Sequence, residues 1–333
     1  MLRGTQSWSF QSKPVILASS AVGGPFEGKG PLAEDFDLIH PDIRLGQESF
    51  EKAEQKFLES CCLKTMEKAN IKKERINFFI SGDLSNQIIA SSFVARTLAI
   101  PYLGMYGACS SSMETLALGA NLIDSKAADY VLAAACSHNA SAEKQYRYPT
   151  EYGSQKPPTA QWTVTGAGSA LIAAKGTGPK ITGATIGKVI DLGIKDPYNM
   201  GAAMAPAAVE TIITHFREMA LEPDYYDYII TGDLGAVGHS IAMEMLDEKK
   251  FKYNKDKFVD CGLMIYGNDP KVFSGASGCA CCATVVYGHF LKRILRGEIN
   301  KILIVATGAL MSPLSYQQKE SIPSIAHAVS IEA

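Results

Sequence analysis

INFFISGDL (residues 76–84) and YDYIITGDL (residues 226–234) decide the fold. Each is a β-rich apolar run that ends in Gly-Asp-Leu. Each follows a helical stretch, LESCCLKTMEKANIKKER before the first and AAVETIITHFREMALEPDY before the second. A recurring block of this kind marks an internal duplication. The repeat continues downstream, where YGACSSSMETLALGANLIDSKAADYVLAAACSH (106–138) is matched by SGCACCATVVYGHFLKRILRGEINKILIVATGA (277–309). Both stretches read as a small-residue turn, a helix and a buried strand. Met113, Leu116, Ala117 and Ala120 fall at helical spacing in the first, and Val286, Phe290 and Ile294 do in the second. VLAAAC and ILIVATG are continuous apolar runs, which suit strands covered by helices on both faces.

Each copy also opens with a strand candidate, PVILASSAVGG (14–24) and KITGATIGKVIDLG (180–193). Each closes with another, GSALIAAK (168–175) and AHAVSIEA (326–333). The chain is therefore an α/β protein of two β-α-β-α-β-α-β-β halves, residues 1–178 and 179–333.

Composition agrees with a globular protein. Of 333 residues, 47% are hydrophobic and 20% charged, and the formal net charge is -2. The scattered Lys and Arg argue against a nucleic-acid partner, which would need concentrated positive charge. The N-terminus MLRGTQSWSFQSKPVIL carries no signal peptide, and no stretch approaches the roughly 20 apolar residues of a membrane span. Attachment to a membrane would have to come from a partner or from the protein surface. The eight cysteines are expected as free thiols. Cys279 and Cys282 form a C-x-x-C, but no second pair completes a zinc site.

The turn Gly107-Ala108-Cys109-Ser110-Ser111-Ser112 lies between an apolar strand and a helix. A cysteine there meets the positive end of the helix dipole, which favours a thiolate nucleophile or an anion site. A buried structural cysteine is the alternative.

At this elbow, and at Gly275-Ala276-Ser277-Gly278, the sequence resembles the thiolase superfamily of thiolases and β-ketoacyl-acyl-carrier-protein synthases. The resemblance implies a duplicated thiolase-like fold of five layers, α-β-α-β-α, usually dimeric. It places Cys109 in the nucleophile position, with the active site where the halves meet. Longer strings carry a closer resemblance: CSHNASAEKQYRYPTEYGSQKP (136–157), VIDLGIKDPYNMGAAMAPAA (189–208), DCGLMIYGNDPKVFSGASGCAC (260–281) and VATGALMSPLSYQQKESIPSIAHAV (305–329). These are similar to the stage V sporulation protein AD family of spore-forming bacteria. That resemblance implies binding of dipicolinate (pyridine-2,6-dicarboxylate), with calcium, by a peripheral subunit of a spore inner-membrane channel. Membrane subunits and a second copy of the chain would be the partners, and no cofactor is implied.

The superfamily's histidines are absent where its template puts them, at Thr231-Gly232-Asp233 and at Val272. Condensation chemistry needs such groups to polarise a thioester and move protons. Losing one oxyanion donor alone costs on the order of 100- to 1,000-fold in rate. Binding is therefore expected rather than catalysis, with acyl transfer on Cys109 as the alternative. The expected ligand site comprises Cys109, Ser110, Ser111, His138, Asn139, Asp83, Gly232, Asp233, Ser277 and Gly278. Asp83 and Asp233 could offer oxygens to calcium, or could cap their loops and helices. Arg147, Tyr148 and Lys156 could stack on and pair with the ligand, or form an ordinary loop or a dimer contact.

Overall fold

The computed structural model describes residues 1–146 and 155–333. The first half runs β1 (Val15–Gly23), α1 (Phe50–Ala69), β2 (Phe78–Gly82), α2 (Ile89–Leu98), β3 (Tyr102–Gly104), α3 (Ser111–Asp124), β4 (Tyr130–Ser137), α4 (Asn139–Tyr146) and β5 (Gly166–Ala173). The second runs β6 (Lys180–Thr185), α5 (Met200–Met219), β7 (Tyr228–Thr231), α6 (Gly235–Glu248), β8 (Phe258–Asp260), α7 (Cys279–Thr284), α8 (Leu291–Leu295), β9 (Lys301–Ala309) and β10 (Ser324–Glu332).

Strand order repeats with the sequence. It is β1-β5-β4-β2-β3 in one half and β6-β10-β9-β7-β8 in the other. In each, the strand that leads into Gly-Asp-Leu pairs in parallel with the strand that follows the central helix, as in Ile80↔Ala133 and Ile230↔Ile304. The closing strands then run antiparallel, as in Ala133↔Ala170 and Ile304↔Val329. The halves abut at the pair Lys180↔Val15.

Five layers result. α1 and α2 cover the outer face of the first sheet, and α5 and α6 that of the second. α3 packs on strands of both sheets, and α7 packs on α3 and on the first sheet, so these two form the middle layer. Such a layer has no polar face, and Met113, Leu116, Ala117, Ala120, Val286, Phe290 and Ile294 are all buried. The close approach of α7 to β5 depends on Gly168, where a Cβ would lie 2.7 Å from the backbone of Ala283. Between α7 and α8 the helix widens into a π turn, Val285–Phe290. There the Ser19 hydroxyl donates to the Tyr287 carbonyl at 2.8 Å, a side chain intruding on the helical ladder.

Two features differ from the sequence pattern. The strand expected over 180–193 ends at Thr185. A Cβ at Gly187 would run into the Ala326 carbonyl, and Asp191 closes a tight turn by accepting the Gly193 N–H at 2.8 Å. The N-terminus also contributes strand structure that hydropathy did not announce: Ser7–Ser9 adds to β6, with Trp8 opposite Ala184.

All eight cysteines are free and buried. Among the described residues, no helix is long and apolar enough to cross a membrane.

Candidate functional site

The Cys109 turn is held by its own serines. Ala108 adopts φ +50°, a left-handed conformation that costs a non-glycine residue about 1–3 kcal/mol unless its surroundings impose it. The Ser110 hydroxyl donates to the Gly107 carbonyl at 2.6 Å, and the Ser111 hydroxyl donates to the Ala108 carbonyl at 2.8 Å. Ser111 Oγ in turn accepts the Gly107 N–H at 3.1 Å. Ser110 and Ser111 are thus committed to the backbone that aims Cys109, and neither lines the cavity beside it.

That cavity has a volume of about 40 Å³, room for a few waters. Leu84, Cys109, Ala142, Tyr146 and Thr163 line it from the first half. Pro197, Met200, Ser277, Ala309 and Met311 line it from the second. Its position is where the two halves meet. The Tyr146 hydroxyl, at the end of α4, donates to the Leu84 carbonyl at 2.7 Å and closes one side.

Asp233 lies behind the cavity, fully buried. Its Oδ2 accepts the Gly278 N–H at 3.0 Å, and its Oδ1 accepts the Thr307 hydroxyl at 2.8 Å. Its backbone carbonyl accepts Gln161 Nε2 at 2.7 Å. The Cys109 thiol rests against the same carboxyl. Burial raises the Asp233 pKa to about 7, against the hydrogen bonds that hold it down. Burial, and then the Asp233 charge, push the Cys109 thiol well above its ordinary value. Desolvation and the neighbouring carboxyl therefore oppose the thiolate that the helix dipole favours.

The same arrangement uses up the second helix N-terminus. Gly278 gives its N–H to Asp233, Ala280 gives its N–H to Ser137 Oγ at 3.1 Å, and Cys281 gives its N–H back to the Gly278 carbonyl. Cys279 Sγ donates to the Ala108 carbonyl at 3.0 Å, and Cys281 Sγ donates to the Gly232 carbonyl at 3.5 Å. Cys279 and Cys281 are thus hydrogen-bonded packing groups, and Cys282, the other member of the C-x-x-C, is buried as well. Among the described residues, no group of three or more His, Cys, Asp or Glu side chains could hold a metal ion.

Of the residues singled out from sequence, the structure brings together Cys109, Ser277, Gly278, Gly232 and Asp233. It sets others apart. Asp83 caps its own loop and α2, accepting the N–H groups of Ser85 at 2.9 Å and Ser91 at 2.8 Å. It faces the buried Glu54, and burial raises it to about 6. His138 donates from Nε2 to the Ile43 carbonyl at 2.8 Å and accepts the Ala140 N–H at Nδ1. Both ring nitrogens are spent, so His138 is a structural histidine away from the cavity. The backbone N–H of Asn139 donates to Thr165 Oγ1 at 3.0 Å, and Asn139 does not line the cavity either.

His239 stacks on Phe258, and its Nε2 lies 3.2 Å from the Phe258 carbonyl. His215 is enclosed between Thr185 and Tyr226. No histidine is among the described residues lining the Cys109 cavity. Lys156 pairs with Glu143 at 2.6 Å and lies over the Trp162 ring. Arg147 and Tyr148 lie outside the described residues. Sequence reasoning missed Thr307 and Gln161, which hold Asp233, and the apolar lining from 84, 142, 197, 200, 309 and 311. These residues come from five separate segments and share no common motif.

Comparison with known proteins agrees with this architecture. The family model of Stage V sporulation protein AD matches residues 4–332. The Stage V sporulation protein AD of Bacillus subtilis (strain 168) is 47% identical over 331 residues, covering 99% of this chain and 98% of that protein. Among solved structures, human mitochondrial 3-ketoacyl-CoA thiolase superposes with a TM-score of 0.61 at 12% identity, over 97% of this chain and 99% of its own. The 3-oxoacyl-[acyl-carrier-protein] synthase III of Aquifex aeolicus gives 0.60 at 12%, over 96% of this chain and 100% of its own. The latter two likenesses concern the fold alone. This chain belongs to the Stage V sporulation protein AD family and is built on the thiolase fold.

Proposed function

We propose that the chain binds dipicolinate, without catalysis, in the Cys109 cavity, as a peripheral subunit of a spore inner-membrane channel for that compound. The observation that carries this is Asp233. A buried carboxyl stands against Cys109 at the position where the superfamily template needs a histidine. A carboxyl that raises the thiol pKa disables a nucleophile, whereas a cavity with a wall of Leu84, Met200 and Met311 still suits a flat aromatic ring.

Charge favours the calcium chelate over the free dianion. None of the described residues lining the cavity is cationic, and Asp233 sits behind it. A dianion would meet an uncompensated carboxyl, whereas one calcium neutralises both ligand carboxylates. The cavity at about 40 Å³ must enlarge to admit the ring, and the Tyr146–Leu84 hydrogen bond is the contact to break. Membrane subunits and a second copy of the chain complete the assembly.

Calorimetric titration with dipicolinate, with and without calcium, on the wild type and on Cys109→Ala tests this. Saturable binding, stronger with calcium and weaker in the variant, is the expected result. No binding at near-millimolar ligand removes the proposal. Binding that Cys109→Ala leaves intact moves the ligand to another site.

A further inference from the structure

A second cavity, of about 430 Å³, shares no lining residue with the Cys109 cavity. It lies between the N-terminal segment, α3, the chain after β6, and β10. Gln6, Glu114, Lys188 and His327 supply its polar groups, and Trp8 and Leu118 contribute apolar wall.

Three of these residues carry a buried polar atom with no hydrogen-bond partner: Gln6 Oε1, Glu114 Oε2 and His327 Nε2. Gln6 is 8% exposed and His327 3%. Buried polar atoms in folded proteins are nearly always paired, so three around one cavity point to an occupant.

Their chemistry is defined by the contacts they do make. His327 Nδ1 accepts the Gly187 N–H at 3.3 Å, so the proton of the neutral ring is on Nε2, an unused donor. Burial lowers the His327 pKa to about 4, which keeps that ring neutral. Gln6 Nε2 donates to the Ile186 carbonyl at 3.0 Å, which fixes the amide and leaves Oε1 as an unused acceptor. Glu114 is a carboxyl raised to about 7 by burial, ready to ionise beside a cation. Lys188 stands at the rim, largely exposed and only loosely paired with Glu210 at 3.9 Å. The cavity therefore offers two acceptors, Gln6 and Glu114, and two donors, His327 and Lys188.

We infer that this cavity binds a small zwitterion, an α-amino acid, with its ammonium on Glu114 and Gln6 Oε1 and its carboxylate on His327 Nε2–H and Lys188. The apolar wall takes the side chain. Nothing in this depends on dipicolinate binding.

The test titrates the full chain with L-alanine, L-valine and L-leucine by calorimetry, and with propylamine and propionate as half-ligands. At least one amino acid should bind saturably, and neither half-ligand should match it. Glu114→Gln and Lys188→Ala should each weaken binding by about tenfold or more, the scale of a lost charge-assisted contact. Lys188 is exposed, so that variant stays folded even if changes deeper in the cavity do not. Absence of binding by all three amino acids would mean the cavity holds water only and would overturn the inference. So would equal binding by propylamine or propionate, or affinity unchanged in both variants.

Discussion

Asp233 Oδ2 accepts the backbone N–H of Gly278 at 3.0 Å, so the N-terminus of α7 already holds an anion that belongs to the protein. Such donors are thereby lost to a ligand. Here the carboxyl that takes them also rests against Cys109. One residue thus fills the helix terminus and raises the thiol.

Removing that charge should make Cys109 more reactive. Above pH ~7, the value to which burial raises Asp233, its negative charge holds the Cys109 thiol up. Asp233→Asn keeps the shape and removes the charge, so the thiol pKa should fall. The rate of iodoacetamide alkylation at Cys109 should rise severalfold, up to about tenfold for each pKa unit. Mass-mapped alkylation across pH measures this, and a rate unchanged or lowered would contradict the placement of the charge.

Asp233 and Glu114 should each pull stability down as pH rises from ~4 to ~7. The folded state raises Asp233 from 3.8 to about 7 and Glu114 from 4.5 to about 7, in both cases through burial. An acid with a raised folded value holds its proton more tightly when folded. Its contribution is complete below the unfolded value and is lost as pH climbs through the folded one. Glu218, lowered to about 2, acts in the opposite sense mostly below this window, and the buried His215 and His327, lowered to about 3 and about 4, oppose the two acids within it. Thermal midpoints of the wild type and of Glu114→Gln across the range isolate one acid: relative to the wild type, the variant's midpoint should gain as pH rises from ~4 to ~7. A pH dependence identical in the variant and the wild type would refute the assignment.

Gly278→Ala should damage both fold and site. Gly278 adopts φ +103°, and a Cβ there would lie 2.7 Å from Ser137 Oγ. The substitution should cost about 1–3 kcal/mol. Denaturant unfolding measures the loss, and an unchanged midpoint would show that the α7 turn adapts freely.

Ala142→Leu should block the Cys109 cavity without touching Cys109. Ala142 is on α4 and lines the cavity, and a leucine there adds three carbons to a space of about 40 Å³. Dipicolinate titration should then show no saturation while the circular dichroism spectrum stays native. Undiminished binding in this variant would move the ligand elsewhere.

Much of the fold was legible because it is written twice. The paired Gly-Asp-Leu motifs and the paired apolar strands gave both sheets and the central helices, since period and hydropathy are local signals. The site was less legible because its decisive facts are not local. The glycine-rich turns announced anion binding, yet the donors of Gly278 and Ala280 are consumed by Asp233 and Ser137. Asp83 and Asp233 are equivalent in sequence, but only Asp233 reaches the Cys109 turn, while Asp83 caps α2. His138 read as a site residue from its place after β4, and its ring faces the Ile43 carbonyl instead. Which way a side chain turns at a strand end depends on chain folded against it from far away.

The Ser7–Ser9 strand has a consequence for synthesis. Its partner, β6, begins at Lys180, so residues 7–9 must wait for all of the intervening first half to be made before their sheet edge exists. During that interval the segment has only its local pairing and the Asp124 contacts of Met1 and Ser12. Glu218, which accepts the N–H groups of Thr5, Gln6 and Ser7, is translated later still. The nascent first half therefore ripens without this strand in place, and a stretch made early is fastened late.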